Sequence, residues 1–397
     1  MNLFGIKARR ATARPALTRP YGWSNTGRVG APMMAAAQAR YDDRVRAAVV
    51  DNPVAQRACR LVAEAVGSAP IASADPLVPA LLVERSTGQS LLETCAMHMM
   101  LHGNVFIQII SADGGHGAAG GDDGARPAEL YALRPDRVAV EVDAHGWPVA
   151  YSYRAGAETV RLPAEDALGR PLVVHVKQMH PLDDHYGLGC LSAASGAVAI
   201  HNAAAQWNKA LLDNAARPSG ALVYDVGEAG AALTGEQFAR LRDEMEAQFQ
   251  GSANAGRPML LDGGLKWQSI SLSPAEMDFI RLKDSAARDI AMAFGVPPML
   301  MGLPGDATYA NYREASKSLW RQTVLPMADT VLKGISQALR QWGMPDGASV
   351  DLNQVLALAD DRERLWSQVS EAAFLSNAEK RAMLGIVDSA DGPEDGA

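Results

Sequence analysis

Apolar positions recur along this chain with two periods, and the change of period divides it. From Asn52 the spacing is helical: Val54, Ala58, Leu61, Val62, Ala65 and Val66 share one face. Asn52 is the cap, Pro53 a first-turn residue, and Gly67 with Pro70 ends the helix. Ser90 opens a second helix, with Leu91, Leu92, Cys95, Met99 and His102 on or near one side, and Gly103 closes it. From Asn104 the period falls to two. Val105–Ile110 is a strand, and ELYAL, RVAVEV, PVAYSY, TVRL and LVVHV come after it with turn residues between them. That spacing predicts a mostly antiparallel β region ending near Lys177.

After Gly187-Leu188-Gly189 the helical period returns. Leu191 to about Ala216 reads as a long Ala-rich helix, stopped by Arg217-Pro218-Ser219-Gly220. ALVYDV is a strand, Thr234 and Gln237 form a capping box for a helix to about Phe249, and a hairpin-like segment surrounds Asp262-Gly263-Gly264. Ser273 and Glu276 cap the next long helix, which Gly295 and Val296-Pro297-Pro298 terminate. A helix from about Tyr309, interrupted by Pro326, runs to about Trp342, and a last helical part spans Asp360–Leu375 before a Ser376-x-x-Glu379 cap. Residues 217–272 thus form a small α/β insert between two long helices whose ends must return near each other. The class is α+β.

Two patterns ask for neighbours. On the helix before Gly295, Met277, Ile280, Ala287, Ala291 and Phe294 form one apolar stripe, and Phe279, Leu282, Ala286, Ile290 and Ala293 another. A surface helix needs one stripe; two predict contacts on two sides. Met299, Leu300, Met301 and Leu303 then occupy a loop, and so apolar a loop should not lie bare in water. It is expected against a partner copy or at a constriction.

Composition narrows the chemistry. A chain of 397 residues with 48% hydrophobic and 21% charged residues is foldable and large enough for two or three domains. Its net charge of −8 argues against a broad basic face that grips nucleic acid. Arg313, Lys317 and Arg321, four apart on one helix face, are either a sparse phosphate contact or a stripe paired with nearby carboxylates such as Glu314 or Asp329. Cys59, Cys95 and Cys190 are odd in number and far apart, which predicts free thiols in a reducing compartment. The basic start lacks the apolar core of a secretory signal, and no apolar run is long enough to span a membrane, so a protein cytoplasmic when made is expected.

Catalytic signatures are weak or missing. There is no G-x-x-x-x-G-K-[ST] loop and no G-x-S-x-G elbow. His98 and His102 have the spacing of two zinc ligands, yet Met99 stands where the general base would be, so packed histidines are expected. His175, His180 and His185 with Asp183 and Asp184 fit no standard metal spacing. No cofactor and no metal are expected, and mechanics rather than covalent chemistry.

Several segments stand in a telling order: NPVAQRACRLVAEAVGSAPI, HGNVFIQII with AELYALRPDRVAVEV, VVHVKQMHPLDDHYGLGCLSAA, NAARPSGALVY, GRPMLLDGGLKWQSISLSPAEMDFI, DIAMAFGVPPMLMG and TYANYREASKSLWRQTVLP. Together they resemble the portal proteins of long-tailed bacteriophages of lambdoid or siphovirus type, and more narrowly the portal of a gene transfer agent. The Gly-rich stretch at 113–124 looks like an insertion, and Cys190 stands where Ser is commoner. The resemblance implies a portal fold and a ring, usually of twelve subunits, at one capsid vertex. Residues 1–40 would be a flexible arm, 41–190 a mixed α/β wing, 191–216 and 273–296 stem helices, 217–272 a clip. Beyond them would come a tunnel loop at 297–308, a kinked helix at 309–345 and a reduced helical crown with an acidic tail at 346–397.

On this reading Pro297, Pro298, Met299, Leu300, Met301, Gly302 and Leu303 form the constriction, and Arg313, Lys317 and Arg321 approach the DNA backbone. Met277, Phe279, Ile280, Leu282, Ile290 and Phe294 meet the next subunit, and Tyr224 and Trp267 mark the clip docking surface. Implied partners are double-stranded DNA, a terminase large subunit, a head–tail adaptor and the major capsid protein. The alternative is another structural head or tail protein of a phage-like particle.

Overall fold

The computed structural model describes residues 16–17, 40–82, 90–111, 126–213, 220–224, 234–249, 265–269, 279–303 and 308–384. A π-helical turn, Arg46–Val50, precedes α1 (Pro53–Gly67). Asn52 caps α1 as expected, its Oδ1 accepting from the Val54 and Ala55 N–H groups at 3.0 and 2.9 Å. Its amide nitrogen also donates to Asn202 Oδ1 at 2.8 Å, so one fully buried side chain starts a helix and ties it to a distant one. Strand β1 (Ile71–Ala72) and the short α2 (Leu77–Leu82) lead to α3 (Leu91–His102).

Gly103 ends α3 at φ +80°. A Cβ there would lie 2.5 Å from the Gly189 nitrogen, so two backbone segments meet where only glycine fits. Asn104 holds the other side of this contact: it is buried, and its Oδ1 accepts from the Gly187 N–H at 2.8 Å. The Gly-Leu-Gly signal is therefore a packing device.

The β region is antiparallel throughout, as its period predicts. Strands β2 (Asn104–Ser111), β3 (Pro127–Leu133), β4 (Val138–Val142), β5 (Pro148–Ala155), β6 (Glu158–Pro163) and β7 (Val173–Lys177) form two three-stranded sheets, ordered β3-β2-β7 and β4-β5-β6. Phe106, Leu133, Val140, Tyr151 and Leu162 belong to a buried cluster joining the two sheets. The alternate residues Val105, Ile107 and Ile109 face the main core, shared with α1 and α3.

Helix α4 (Cys190–Asp213) has 24 residues, roughly 36 Å at 1.5 Å per residue. Strand β8 (Gly220–Tyr224), α5 (Gly235–Phe249) and β9 (Leu265–Ser269) make up the described part of the insert. Thr234 and Gln237 form the expected reciprocal cap. β8 pairs antiparallel with β9, from Gly220↔Ser269 to Tyr224↔Leu265, which brings the two ends of the insert together. The turn expected at Asp262–Gly264 and the Ser273–Glu276 cap lie outside the described residues. Helix α6 (Phe279–Ala293) then packs back along α4.

The interrupted helix comprises α7 (Tyr309–Leu319), a π turn (Trp320–Val324) and α8 (Leu325–Gln341). The irregularity begins a turn before Pro326, where it was expected. Pro326 sits in the first turn of α8, and its ring cannot stack over the carbonyl four residues back. The π turn widens the helix ahead of it, with the Leu325 N–H reaching back to the Trp320 carbonyl. Strand β10 (Ser349–Val350) pairs antiparallel with β1, so residues far apart in sequence share a two-stranded sheet. Helices α9 (Ala359–Glu371) and α10 (Asn377–Met383) finish the described chain, α10 with the expected Ser376–Glu379 capping box.

Candidate functional site

The site grows from the end of α6. Gly295 adopts φ +66°, and the Val296 N–H donates to the Ala291 carbonyl at 2.8 Å, which reverses the chain. Pro297 is extended, Pro298–Met301 forms one 3-10 turn, and Gly302 closes it at φ +71°. This corner is seated on the π turn. The Thr323 hydroxyl donates to the Gly295 carbonyl at 2.7 Å, and a Cβ on Gly295 would lie 2.6 Å from that hydroxyl oxygen. The stiff break and the interrupted helix are therefore one joint.

The apolar residues of the corner were expected at a partner copy or a constriction. Within the subunit Met299, Leu300, Met301 and Leu303 are half-buried, and Leu300 and Met301 pack against the subunit's own core. Residues 304–307 lie outside the described residues.

Both stripes on α6 are exposed near its start and buried toward its end. Ala286, Ala287, Ile290, Ala291 and Phe294 are buried within the chain. Ile290 and Phe294 thus correct the expectation of a subunit interface: at 0% and 2% exposure they are core residues. Ile280 at 76% and Leu282 at 44% stay exposed, and Met292 at 73% joins them. Met277 lies outside the described residues, as do the side chains of Phe279, Tyr224 and Trp267. The ladder places Tyr224 opposite Leu265 and Trp267 opposite Leu222.

The cationic stripe is committed within the chain. Arg313 reaches Asp360 at 3.2 Å, and Arg321 reaches Asp361 at 2.7 Å. Lys317 is buried among Glu314 at 3.3 Å, Asp361 at 3.4 Å and Asp360 at 3.9 Å. Arg313 and Arg321 stay half-exposed beside their carboxylates, whereas Lys317 is enclosed. Asp329 pairs instead with Lys333, one turn on. Asp360 and Asp361, in the first turn of α9 where a helix favours negative charge, were missed as partners. Their distance in sequence hides the contact, and Thr323 is hidden the same way.

The histidines are packed. Burial, with His102 nearby, lowers the His98 pKa to about 4; burial lowers His102 to about 4 and His175, beside Lys177, to about 3. His175 stacks on Phe106 with ring centroids 4.2 Å apart. Among the described residues no three His, Cys, Asp or Glu side chains are grouped to hold a metal. Burial pushes the Cys59 thiol up to about 12, and none of the three cysteines is in a disulfide.

A family model described as phage portal protein matches residues 53–385. The chain belongs to the phage portal protein family. The family points to a structural role. One similar chain, an uncharacterized protein of Rickettsia felis, is 42% identical to the portal over 261 residues, which are 66% of this chain and 67% of that one. Another, from the neck of a native gene transfer agent particle computed with C12 symmetry, is 42% identical with a TM-score of 0.65. That match covers 88% of the portal and 94% of the neck chain. A portal protein of the HK97 family from Corynebacterium diphtheriae, 17% identical, shares the fold with a TM-score of 0.54 over 77% of this chain and 93% of that one. In the described residues, no helix is long and apolar enough to cross a membrane.

Proposed function

We propose that this portal assembles into a ring of twelve subunits at one vertex of a gene-transfer-agent-like capsid, and that double-stranded DNA is packaged and ejected through it. The observation that carries this reading is the match along 88% of the chain to a neck protein in a particle computed with C12 symmetry. Helices α4 and α6 are the stem, the β8–α5–β9 insert is the clip, and the corner at 297–303 borders the channel. The subunit supports this reading because α6 leaves Ile280, Leu282 and Met292 exposed, apolar surface that a neighbouring copy covers. The clip, marked by Tyr224 and Trp267, docks the terminase large subunit and later the head–tail adaptor, and the wing meets the major capsid protein.

The ring is not an enzyme; ATP hydrolysis belongs to a separate motor. Arg313 and Arg321, half-exposed beside Asp360 and Asp361, touch DNA phosphates weakly, while Lys317, buried among carboxylates, does not. Together with the net charge of −8 this suits a channel along which DNA slides. Native mass spectrometry and negative-stain imaging of the purified protein test the assembly. A twelve-subunit ring with a central hole is expected. A stable monomer, a hexamer or an open filament overturns the reading.

A further inference from the structure

Helices α1 and α4, far apart in sequence, meet at a buried polar cluster. Asn52 is fully buried and His201 is 4% exposed. Ala48, Ala55 and Ala204, within four positions of them along the chain, are buried too. A polar atom that loses its partner here gains little from water.

The donors and acceptors of the cluster are fixed. Asn52 Oδ1 accepts from the Val54 and Ala55 N–H groups, so the other end of this amide, Nδ2, is turned away and can only donate. Nδ2 donates one hydrogen to Asn202 Oδ1 at 2.8 Å and faces His201 Nδ1 at 3.1 Å. Nδ1 is therefore the accepting nitrogen, and the imidazole proton sits on Nε2. The Asn202 amide donates in turn to the Ala47 carbonyl at 2.8 Å, in the π turn ahead of α1.

The two bonds made by Asn202 hold at any ordinary pH. The bond to His201 does not. A second proton on the ring would occupy Nδ1 and set an N–H against the N–H of Asn52. The amide cannot turn its oxygen to meet it without losing both cap bonds. Among the charged neighbours, Lys283 on α6 acts on the ring, and burial followed by Lys283 lowers its pKa. Arg46, Asp51 and Arg57, the charged residues of the π turn and the start of α1, are exposed. Helix α4 carries no other titratable group between Leu191 and Asn208. The bond is thus complete near neutral pH and is lost as pH falls below about 6.5.

We propose that Asn52, Asn202 and His201 form a proton-operated latch between α1 and α4, in which protonation of the imidazole releases the start of α1 and the π turn from α4. On the portal reading α1 belongs to the wing and α4 to the stem, so the latch sets how firmly the stem is held to the wing. Only that consequence rests on the portal reading.

Hydrogen exchange of the purified full chain, corrected for the intrinsic pH dependence of amide exchange, tests the latch. Between about pH 7.5 and about pH 5, residues 46–56 and 198–205 should come to exchange about fivefold faster, the loss of one buried hydrogen bond. His201→Gln, whose amide oxygen accepts at any pH, should remove that rise. Lys283→Gln leaves the latch intact and lifts the repulsion, so the midpoint of the rise should move to higher pH. No rise in the unmodified chain overturns the proposal. A rise that persists in His201→Gln overturns it too, because the other buried histidines then cause it. If His201→Gln does not fold, Lys283→Gln decides, and an unmoved midpoint there overturns the proposal in either case. None of these readouts depends on the chain forming a ring.

Discussion

His175 shows how a single residue carries structural information. Asn104 Oδ1 lies 3.1 Å from its Nε2 and already accepts from the Gly187 N–H, so Nε2 is the protonated nitrogen. The ring stays neutral because burial, and Lys177 after it, holds its pKa at about 3; His98 and His102 are held at about 4. Between pH 6.5 and about 4 the unfolded chain binds protons at these positions that the native chain refuses. Stability is therefore complete above about pH 6.5 and declines as pH falls, by up to about 1.4 kcal/mol per pH unit for each histidine. The urea midpoint should drop steadily from pH 7 to pH 5. A flat profile would show that these rings are solvated.

These histidines also mark a limit of pattern reading. The i, i+4 spacing of His98 and His102 fits a zinc pair, Met99 turned the reading toward packed histidines, and their enclosure by neighbouring elements shows them packed.

At the scale of elements, the joint between Gly295 and Thr323 matters most. The helix stop at Gly295–Pro298 was legible, since glycine and paired prolines disfavour continued helix whatever surrounds them. The π turn was not, because a shift from four- to five-residue hydrogen bonding leaves no mark in composition. Thr323→Val keeps the side-chain shape and removes the hydroxyl bond to the Gly295 carbonyl. A loss of about 1 kcal/mol is expected. Hydrogen exchange should quicken at residues 296–302 as well as at the π turn. Faster exchange confined to the π turn would mean that the corner holds its position by other contacts.

For the whole molecule, the question is which apolar surface belongs to the subunit and which to the ring. Ile290 and Phe294 lie inside; Ile280 and Met292, on the same helix, remain outside. Ile280→Glu with Met292→Glu should leave the circular dichroism spectrum unchanged and abolish rings, giving monomers by native mass spectrometry. Unaffected rings would place the subunit contact elsewhere.

Local order was settled by the amino acids in sequence. The caps at Asn52, Thr234 and Ser376, the antiparallel strands and the stop at Gly295 depend on backbone preferences and neighbours within a few residues, so they could be read along the chain. The ordered run of portal-like segments carried the family in the same way. Partnerships across the chain were another matter. The β1–β10 pair, Thr323 on Gly295, and Asp360 and Asp361 on the cationic stripe join residues from 28 to nearly 280 positions apart. Strands of two residues show no period, and a charge shows no partner, until packing brings both groups to within a few ångströms. Only the folded chain could therefore divide buried from exposed apolar residues on α6 and pair the cationic stripe with Asp360 and Asp361.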